Sequence, residues 1–516
     1  MFSFGLKKSS VSKSLAMFIV PLSILSSISI STYSKEYIKP ENCKKPDIGK
    51  RYFISAKGDD KKGNGSRLHP WNSINHGLKK IPDGNTLIVK PGIYDGTTNL
   101  TRNFKTGILI RSEYPYEAIL RSNSRVLKFK GAASNIHIQG FNISHFNQDA
   151  KPLVIHIDGG AKDQLQNITI ANNIIHDSFN NDLLKVNNGA TYIKIKCNLF
   201  YNQGDSDEHI DVNSAERISI SDNIFFNSFE SSNRKITSKS SSYIVIKDSN
   251  SNKDQFLGSR NITVARNVFL NWQGSIGHGF ILVGEDGKEY YEANKVFIFN
   301  NLFLGNSTLP MRSPFGIKGA KNIHFFNNTI TGDLPSNAFS MRINREGNNP
   351  INDNIFIRNN IWSDPNGTMG SSPHQSSNDF SDTIFTEINN FEFKDNLIWN
   401  GGNALPHSLL DKINPSNDAS IEIADPMFKD NTKLSIPIWI EEKRKFADGS
   451  FTIREVFERL VYYYGKPQNG SLTHTKAVSN YTLKTDILGN KRNKPHSRGA
   501  YHIDNTPKSN IPALTE

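Results

Sequence analysis

The sequence has few cysteines and few hydrophobic residues. Cys43 and Cys197 are the two cysteines among 516 residues, and hydrophobic residues make up 36% of the chain. One pair of cysteines excludes a disulfide-rich scaffold and a cysteine-based metal site. Export would permit a disulfide between them, but Cys197 lies in a strand-like run, which favours a small buried side chain. The low apolar content suits many short strands joined by polar turns better than packed helices.

Long apolar runs are also scarce, and the one that could insert into a membrane lies at the start of the chain. Lys7, Lys8 and Lys13 precede an apolar stretch over residues 15–30, and small residues follow it. This layout is typical of a secretory signal, and the stretch is short for a membrane span. We expect residues 1–34 to be a signal peptide, with an uncleaved anchor as the alternative. The mature chain is then expected to lack a membrane span and to be secreted or periplasmic.

Runs of lysine and arginine with interleaved aromatic residues are missing, although the formal net charge is +12. Nucleic-acid binding would require basic patches of that kind. Net charge by itself does not choose between nucleic acid, an anionic membrane and an acidic polymer. We therefore expect no nucleic-acid partner.

The sequence does contain a repeat. Eight segments share a short alternating strand, a polar residue, an asparagine and a second strand, as in NITIANNII (167–175) and RISISDNIF (217–225). The repeated asparagines are Asn173, Asn198, Asn223, Asn267, Asn301, Asn328, Asn360 and Asn396. Their shortest spacing is 25 residues, which is the length of one coil built from three short strands and their turns.

A coil of this kind cannot bury its apolar face alone, so the coils must stack with their strands in parallel. Asparagine at a fixed corner can bond the asparagine of the next coil, and it tolerates the left-handed backbone that such a corner needs. We therefore predict an all-β fold, a single-stranded right-handed parallel β-helix. An N-terminal cap is expected over 35–100, the β-helix over 101–400 and an irregular C-terminal cap or tail over 401–516, in a monomer. NSINHGLKKI (72–81) is predicted to be a capping helix, and FTIREVFERLVYYYG (451–465) is also predicted to be helical.

Charged side chains recur in the strand that precedes each repeated segment. Successive side chains of a strand point to opposite faces, so the charged side chains point outward when their apolar neighbours point inward. The outward residues are Lys185, Asp211, Lys318 and Arg342, with Lys247 at the end of its strand. In-register stacking would align them in one stripe that suits a long anionic ligand, although a merely solvated face is the alternative. Lys235 and Arg345 are further candidates for binding such a ligand.

Carboxylates crowd the segment NQGDSDEHIDVN (202–213), which contains Asp205, Asp207, Glu208 and Asp211. Asp182 begins the equivalent strand one coil earlier, so stacking would bring it close to Asp207 and Asp211. Converging carboxylates are the hard oxygen ligands that Ca²⁺ takes, and the cation would offset their repulsion. We predict a calcium site formed by Asp182, Asp207 and Asp211, with Glu208 and Asp248 as further possible ligands.

The two ends of the chain, YFISAKGDD…PGIYDG and DILGNKR…RGAY, resemble those of bacterial secreted β-helix proteins of the pectate-lyase-like superfamily. DEHID also matches the Asp-x-x-x-Asp with which pectate and pectin lyases hold calcium. The resemblance implies cleavage of an acidic polysaccharide by β-elimination, with a lysine or arginine as the base. Lys247 lies where the family often has a lysine. The catalytic arginine of the family has no counterpart in GSIGHGFILVGEDG (274–287), so Lys318, Arg342 and His278 are also candidate bases.

Two other functions stay open at this point. The series NND, GDSD, GHG and GIK is similar to that of polygalacturonases, which implies an inverting hydrolase with Asp182, Asp205 and Asp207 as its acids and His278 in support. Glycan binding without cleavage, as in adhesins, is the third possibility, because solenoid surfaces also serve that role.

Overall fold

The computed structural model of the chain describes most residues from Cys43 to Ile503. The described ranges are 43–161, 165–236, 239–250, 257–307, 309–369, 380–406, 411–415, 418–429, 434–474, 477, 483–493 and 496–503. The predicted signal peptide lies outside them. Within these ranges, no helix combines the length and the apolar character that crossing a membrane requires.

Most strands belong to three long parallel sheets, and each coil contributes one strand to each sheet in turn. Sheet A consists of β1 (Arg51–Ile54), β2 (Thr86–Val89), β5 (Asn103–Ser112), β8 (Ser134–Gln139), β11 (Gln166–Ala171), β14 (Thr191–Lys196), β17 (Glu216–Ser221), β20 (Ser259–Ala265), β23 (Ala293–Phe299), β26 (Ala320–Phe326), β29 (Asn352–Arg358) and β32 (Ile388–Lys394). Sheet B consists of β3 (Gly92–Asp95), β6 (Ala118–Ser122), β9 (Asn142–His145), β12 (Ile174–His176), β15 (Leu199–Tyr201), β18 (Ile224–Phe226), β21 (Val268–Phe269), β24 (Leu302–Leu304), β27 (Thr329–Thr331), β30 (Ile361–Asp364), β33 (Leu397–Asn400) and β34 (Glu422–Ile423). Sheet C consists of β4 (Thr98–Leu100), β7 (Leu127–Phe129), β10 (Ile155–Asp158), β13 (Leu184–Asn187), β16 (Ile210–Asn213), β19 (Ile244–Lys247), β22 (Ile281–Val283), β25 (Phe315–Lys318), β28 (Met341–Asn344) and β31 (Ser381–Thr383).

Equivalent residues of successive coils stack in register inside the three sheets. Ile168, Ile193 and Ile218 occupy one such position on β11, β14 and β17, and all three are buried. Repeated apolar positions of this kind form one continuous core along the coils, which is how a coil too small to fold alone is stabilised. The predicted parallel β-helix is confirmed.

The asparagine ladder joins sheets A and B at their shared corner. The backbone N and Nδ2 of Asn173 both donate to Oδ1 of Asn198, at 2.9 and 3.1 Å. The same pair of bonds links all eight predicted asparagines through to Asn396. One detail of the prediction was wrong: the residue before each ladder asparagine has the left-handed backbone, as at Asn172 and Cys197 with φ of 54° and 56°. The ladder asparagine is thereby free to point inward.

Both predicted helices are present. Helix α1 (Ile74–Lys80) begins after Ser73, whose hydroxyl accepts a hydrogen bond from His76 N at 3.2 Å, and it buries Ile74 and Leu78 in the same core as the first coils. Helix α2 (Ile453–Leu460) continues as a π-helical turn over Val461–Gly465.

Helix α2 packs on the outer face of sheet B. Its residues Val456 and Phe457 share a buried apolar cluster with Leu199 and Phe226 of sheet B. Strands β35 (Trp439–Ile440) and β36 (Lys445–Phe446) pair as a short antiparallel ribbon in the same region. Single 3₁₀ turns complete the described elements at Phe229–Ser232, Phe385–Glu387, Glu441–Lys443 and Leu472–His474. The C-terminal part of the chain therefore covers one side of the coils.

A disulfide joins Cys43 to Cys197, so the expectation that Cys197 is only a small buried side chain was wrong. Cys197 holds the corner position before a ladder asparagine, and residues 43–48 cross the outside of sheet A to reach it. This crossing segment, the N-terminal strap, also bonds Gln139 and Arg111 of earlier coils. Strand alternation could not predict the disulfide, because Cys43 and Cys197 are 154 residues apart in the sequence.

The outward face of sheet C carries the residues singled out in the sequence. One row in register contains Lys185, Asp211, Val245, Leu282, Gly316 and Arg342. The expected continuous stripe of charge was therefore wrong, because its three central positions hold uncharged residues. The charges instead form two separate groups along the face, one acidic and one basic.

Candidate functional site

The acidic group lies where β13 and β16 begin. Asp182, Glu208 and Asp211, called the acidic cluster below, each place a carboxylate oxygen within 4.8 Å of the others. In-register pairing of β13 with β16 brings Asp182 of one coil to Glu208 and Asp211 of the next. The relative exposures of the three residues are 1%, 5% and 1%. Three carboxylates from two coils thus share one buried space.

Hydrogen bonds leave part of this cluster unsatisfied. The backbone N of Glu208 donates to Asp182 Oδ1 at 3.0 Å. Asp182 Oδ2 and Asp211 Oδ1 are buried and have no hydrogen-bond donor. Buried carboxylate oxygens without a donor are costly. An all-oxygen set with free lone pairs fits a hard divalent cation such as Ca²⁺.

The charges of the cluster are only partly balanced by protein groups. Burial and the neighbouring Asp211 raise the pKa of Asp182, and burial and Asp182 raise the pKa of Glu208 well above its usual value. Lys185 forms an ion pair with Asp211, and its Nζ lies 3.8 Å from Asp182 Oδ2. Burial alone would lower the pKa of Lys185, but Asp211 and Asp182 raise it. One ammonium group therefore faces three carboxyl groups.

Asp207, predicted as a ligand, lies beside the acidic cluster rather than within it. Asn181 Nδ2 donates to Asp207 Oδ1 at 2.8 Å. Burial, together with Asp182, raises the pKa of Asp207 to about 7. In the described part of the chain, the predicted ligands that come together are Asp182, Asp211 and Glu208, without Asp207. Both residues precede β16, in a segment without strand structure, where Glu208 is buried and Asp207 is half-buried.

Lys247 is the last residue of β19 in the following coil, and Asp248 comes directly after it. Asp248 Oδ2 accepts a hydrogen bond from Gly258 N at 2.6 Å, so this carboxylate is bonded to the backbone just before β20. Lys247 forms an ion pair with Glu285, and Asp286 Oδ1 lies 3.6 Å from its Nζ. Burial alone would lower the pKa of Lys247, but Asp211, Glu285 and Glu208 raise it. Lys247 is therefore held in its charged form.

The basic group lies two to four coils from Asp211, on the segments that carry β22, β25 and β28. His278, Arg312, Lys318 and Arg342, called the basic cluster below, line a cavity of about 20 Å³. Gly316 lies at its base, where a Cβ atom would come within 3.1 Å of Leu282. The cavity is therefore open because this position of the outward row has no side chain.

Each cation of the basic cluster has an acidic partner. Arg312 and Arg342 both contact Asp382, the latter through Nε at 3.1 Å, and Lys318 pairs with Glu346. Sequence reasoning missed Arg312, which precedes its strand, and it missed both acids. Arg312 could have been found because it lies four residues before Gly316 in the sequence, within the same coil. Glu346 could not, because it lies on a loop whose path no strand pattern determines.

His278 differs from its neighbours because it is uncharged. Its Nδ1 lies 3.2 Å from Ser241 Oγ, within hydrogen-bonding distance. Burial, with Lys318 close by, lowers the pKa of His278 to about 4. At neutral pH this ring is an unprotonated imidazole that lies among three cations.

The structure does not bring the remaining predicted residues into either cluster. Lys235 is exposed on the loop between β18 and β19. Arg345 donates from Nε to Asn349 O at 2.8 Å. The arginine that shares Asp382 with Arg342 is Arg312. Asp205, an acid of the hydrolase alternative, is exposed in a turn, whereas Asp182 is buried.

No family model and no curated protein sequence matches this chain. Among solved structures, it is similar to pectate lyase Pel9A, with a TM-score of 0.42 and 14% identity over 67% of this chain and 79% of that one. A polysaccharide lyase from Pseudopedobacter saltans gives a TM-score of 0.42 and 13% identity over 68% and 90% of the two chains. A complex of XylC with xylose gives a TM-score of 0.44 and 11% identity over 88% and 98%. The parallel β-helix itself is established by the strand pairing of this chain.

Proposed function

We propose that the outward face of sheet C binds a uronate-containing polysaccharide and that the protein cleaves it as a lyase, by β-elimination. The acidic cluster is the proposed calcium site. The observation that supports this proposal is the meeting of three buried carboxylates from two coils, with Asp182 Oδ2 and Asp211 Oδ1 lacking donors. A purely structural cluster would be expected to have these oxygens satisfied.

The chemistry of β-elimination accounts for what the site must supply. The proton to be removed lies beside the uronate carboxyl group, and it becomes acidic when the charge of that carboxyl is neutralised. Bound calcium would supply this neutralisation as a Lewis acid. Asp182, Glu208 and Asp211 would hold the cation, and a base must lie within reach of the proton.

Lys247 is the proposed base, because it is in register with Asn213 on the neighbouring strand and therefore lies in the coil next to the acidic cluster. A base must be unprotonated, and the surrounding acids Asp211, Glu285 and Glu208 keep Lys247 charged. Its deprotonation therefore requires that part of this negative charge be offset. His278 is the alternative, since it is already neutral.

The basic cluster is the proposed binding region for further uronate carboxylates. Gly316 is three strand steps from Asp211 in the row, which corresponds to roughly 14 Å at the usual strand spacing. Arginine presents a planar fork of donors that matches a carboxylate. Arg312 and Arg342, supported by Lys318, would hold the polymer along the coil axis while one residue lies at the acidic cluster.

The test is an assay of the purified protein with pectate, alginate and other acidic polysaccharides. We expect an increase in the ultraviolet absorbance of unsaturated uronates that stops when calcium is chelated. Asp211→Ala should abolish the calcium dependence, and Asp95→Asn, at a surface ion pair with Arg121, is the matched control. New reducing ends without the absorbance would establish the hydrolase instead, and binding without cleavage would establish a glycan-binding protein.

A further inference from the structure

Lys185 contacts the acidic cluster and is partly exposed to solvent. It is in register with Asp211 on the neighbouring strand, and it contacts Asp211 Oδ2 while lying 3.8 Å from Asp182 Oδ2. The side chain of Lys185 is 23% exposed, whereas those of its two partners are at most 2% exposed. Lys185 is therefore a partly exposed cation in contact with carboxylates that are themselves buried.

The lysine does not saturate the cluster. It brings one positive charge to three carboxyl groups, and Asp182 Oδ2 and Asp211 Oδ1 still have no hydrogen-bond donor. Its flexible stem allows the ammonium group to leave without any movement of the backbone. A metal ion bound by these carboxylates and an ammonium group held against the same carboxylates would repel each other strongly.

We propose that Lys185 is a displaceable counter-ion of the cation site: a divalent cation takes the place of its ammonium group, and the released lysine turns outward toward the anionic polymer. This inference rests on the calcium site of the proposed function and assigns a role to one residue of it. Lys185 then offsets part of the negative charge of the acids before the cation binds, and the cation offsets it afterwards.

The first experiment measures calcium affinity by titration calorimetry on the full chain at one fixed pH. We expect Lys185→Met to bind calcium at least about tenfold more tightly than the wild type, because no internal cation has to be displaced. Lys185→Arg should keep the wild-type affinity. Lys128→Met is the matched control, since Lys128 lies on the same row two coils earlier, and its affinity should be unchanged.

The outcomes separate the inference from the function on which it rests. Equal or weaker calcium binding by Lys185→Met, with binding by the wild type intact, would overturn the counter-ion role and leave the calcium site in place. Failure of the wild type and the variant to bind calcium at all would overturn the calcium site as well.

A second experiment uses the unmodified protein, so it does not depend on the folding of a variant. Acetylation of lysines with a water-soluble reagent, read by mass spectrometry with and without calcium, reports how accessible each amine is. We expect labelling of Lys185 to rise severalfold with calcium while that of Lys128 stays constant. An unchanged or reduced labelling of Lys185 would contradict its release.

Discussion

Burial and neighbouring charge decide the protonation of single residues on the sheet C face. His278 and Lys247 lie in consecutive coils, yet burial lowers the pKa of His278 to about 4, while acids raise the pKa of Lys247. One residue is thus neutral and the other charged at the same pH. The two candidate bases can be distinguished by substitution.

Lys247→Met is expected to lower kcat by roughly 10²–10⁴-fold while leaving polysaccharide binding largely intact, because a general base contributes about that much. The measurement is the initial rate of ultraviolet absorbance on the best substrate, with Lys128→Met as the control. If Lys247→Met stays active and His278→Asn does not, the imidazole is the base.

Asp207 makes the stability of the protein depend on pH. Its pKa is raised to about 7 from 3.8, so between these values the folded chain keeps a proton that the unfolded chain has released. Stability therefore falls as pH rises through this window. Asp207→Asn removes the titration but keeps an oxygen to accept from Asn181. Without calcium, we expect the variant to match the wild type near pH 4 and to melt a few degrees higher above pH 7.

Thermal unfolding followed by circular dichroism across this range checks the prediction. Asp205→Asn, at an exposed position two residues away, should follow the wild-type curve. If the melting temperatures of the wild type and Asp207→Asn changed with pH in the same way, the predicted effect of Asp207 would be contradicted.

The sequence predicted some residue contacts and missed others for a physical reason. Asp182 and Asp211 lie at fixed positions of consecutive coils, so strand register alone brings them together. Glu285 and Asp382, which pair with Lys247 and Arg342, were missed: Glu285 lies on a loop, and the strand that carries Asp382 follows a long connection that register does not fix. Alternation identifies which side chains point outward but not which loop folds over them.

At the scale of elements, the corner between sheets A and B specifies the fold. Each ladder asparagine is bonded to both neighbouring coils, so the asparagine spacing in the sequence was sufficient to predict the parallel coils. The disulfide was not predictable in this way, because it depends on the path of the N-terminal strap and not on any repeat.

Asn267→Ala should destabilise the protein by about 3–5 kcal/mol, because several buried groups lose their partners together. Its Oδ1 accepts from Asn223 N and Nδ2, and its Nδ2 donates to Ile220 O and Asn301 Oδ1. Denaturant unfolding measures the change. Asn99→Ala, at an exposed asparagine of β4, is the control and should change stability by less than about 1 kcal/mol. Equal effects at the two sites would contradict an energetic role for the ladder.

At the scale of the whole molecule, two segments from outside the coils cover two of its sides. The N-terminal strap crosses sheet A, and helix α2 lies on sheet B. Sheet C is the side that carries both charged clusters. The proposed polymer would therefore run along the axis of the stacked coils rather than around them.

Removal of the disulfide tests how far the strap stabilises the coils it crosses. Replacement of Cys43 and Cys197 by serine should lower the free energy of unfolding by roughly 2–5 kcal/mol, because the bond closes a long loop of the unfolded chain. Unfolding of oxidised wild type and the double variant in denaturant gives the difference. The variant should keep its calcium affinity, since the acidic cluster does not contact the strap, and a loss of affinity would show that the two are coupled.

The uneven spacing of the ladder asparagines has an evolutionary consequence. The interval from Asn223 to Asn267 is 44 residues, against 25 from Asn198 to Asn223, and the extra length lies in the segments that flank β19. Insertions in these segments lengthen the connections to and from β19 of sheet C and leave the hydrogen bonds between the ladder asparagines unchanged. Under the proposed function, a lineage that lengthens or trims these connections would change its polymer preference with little risk to folding.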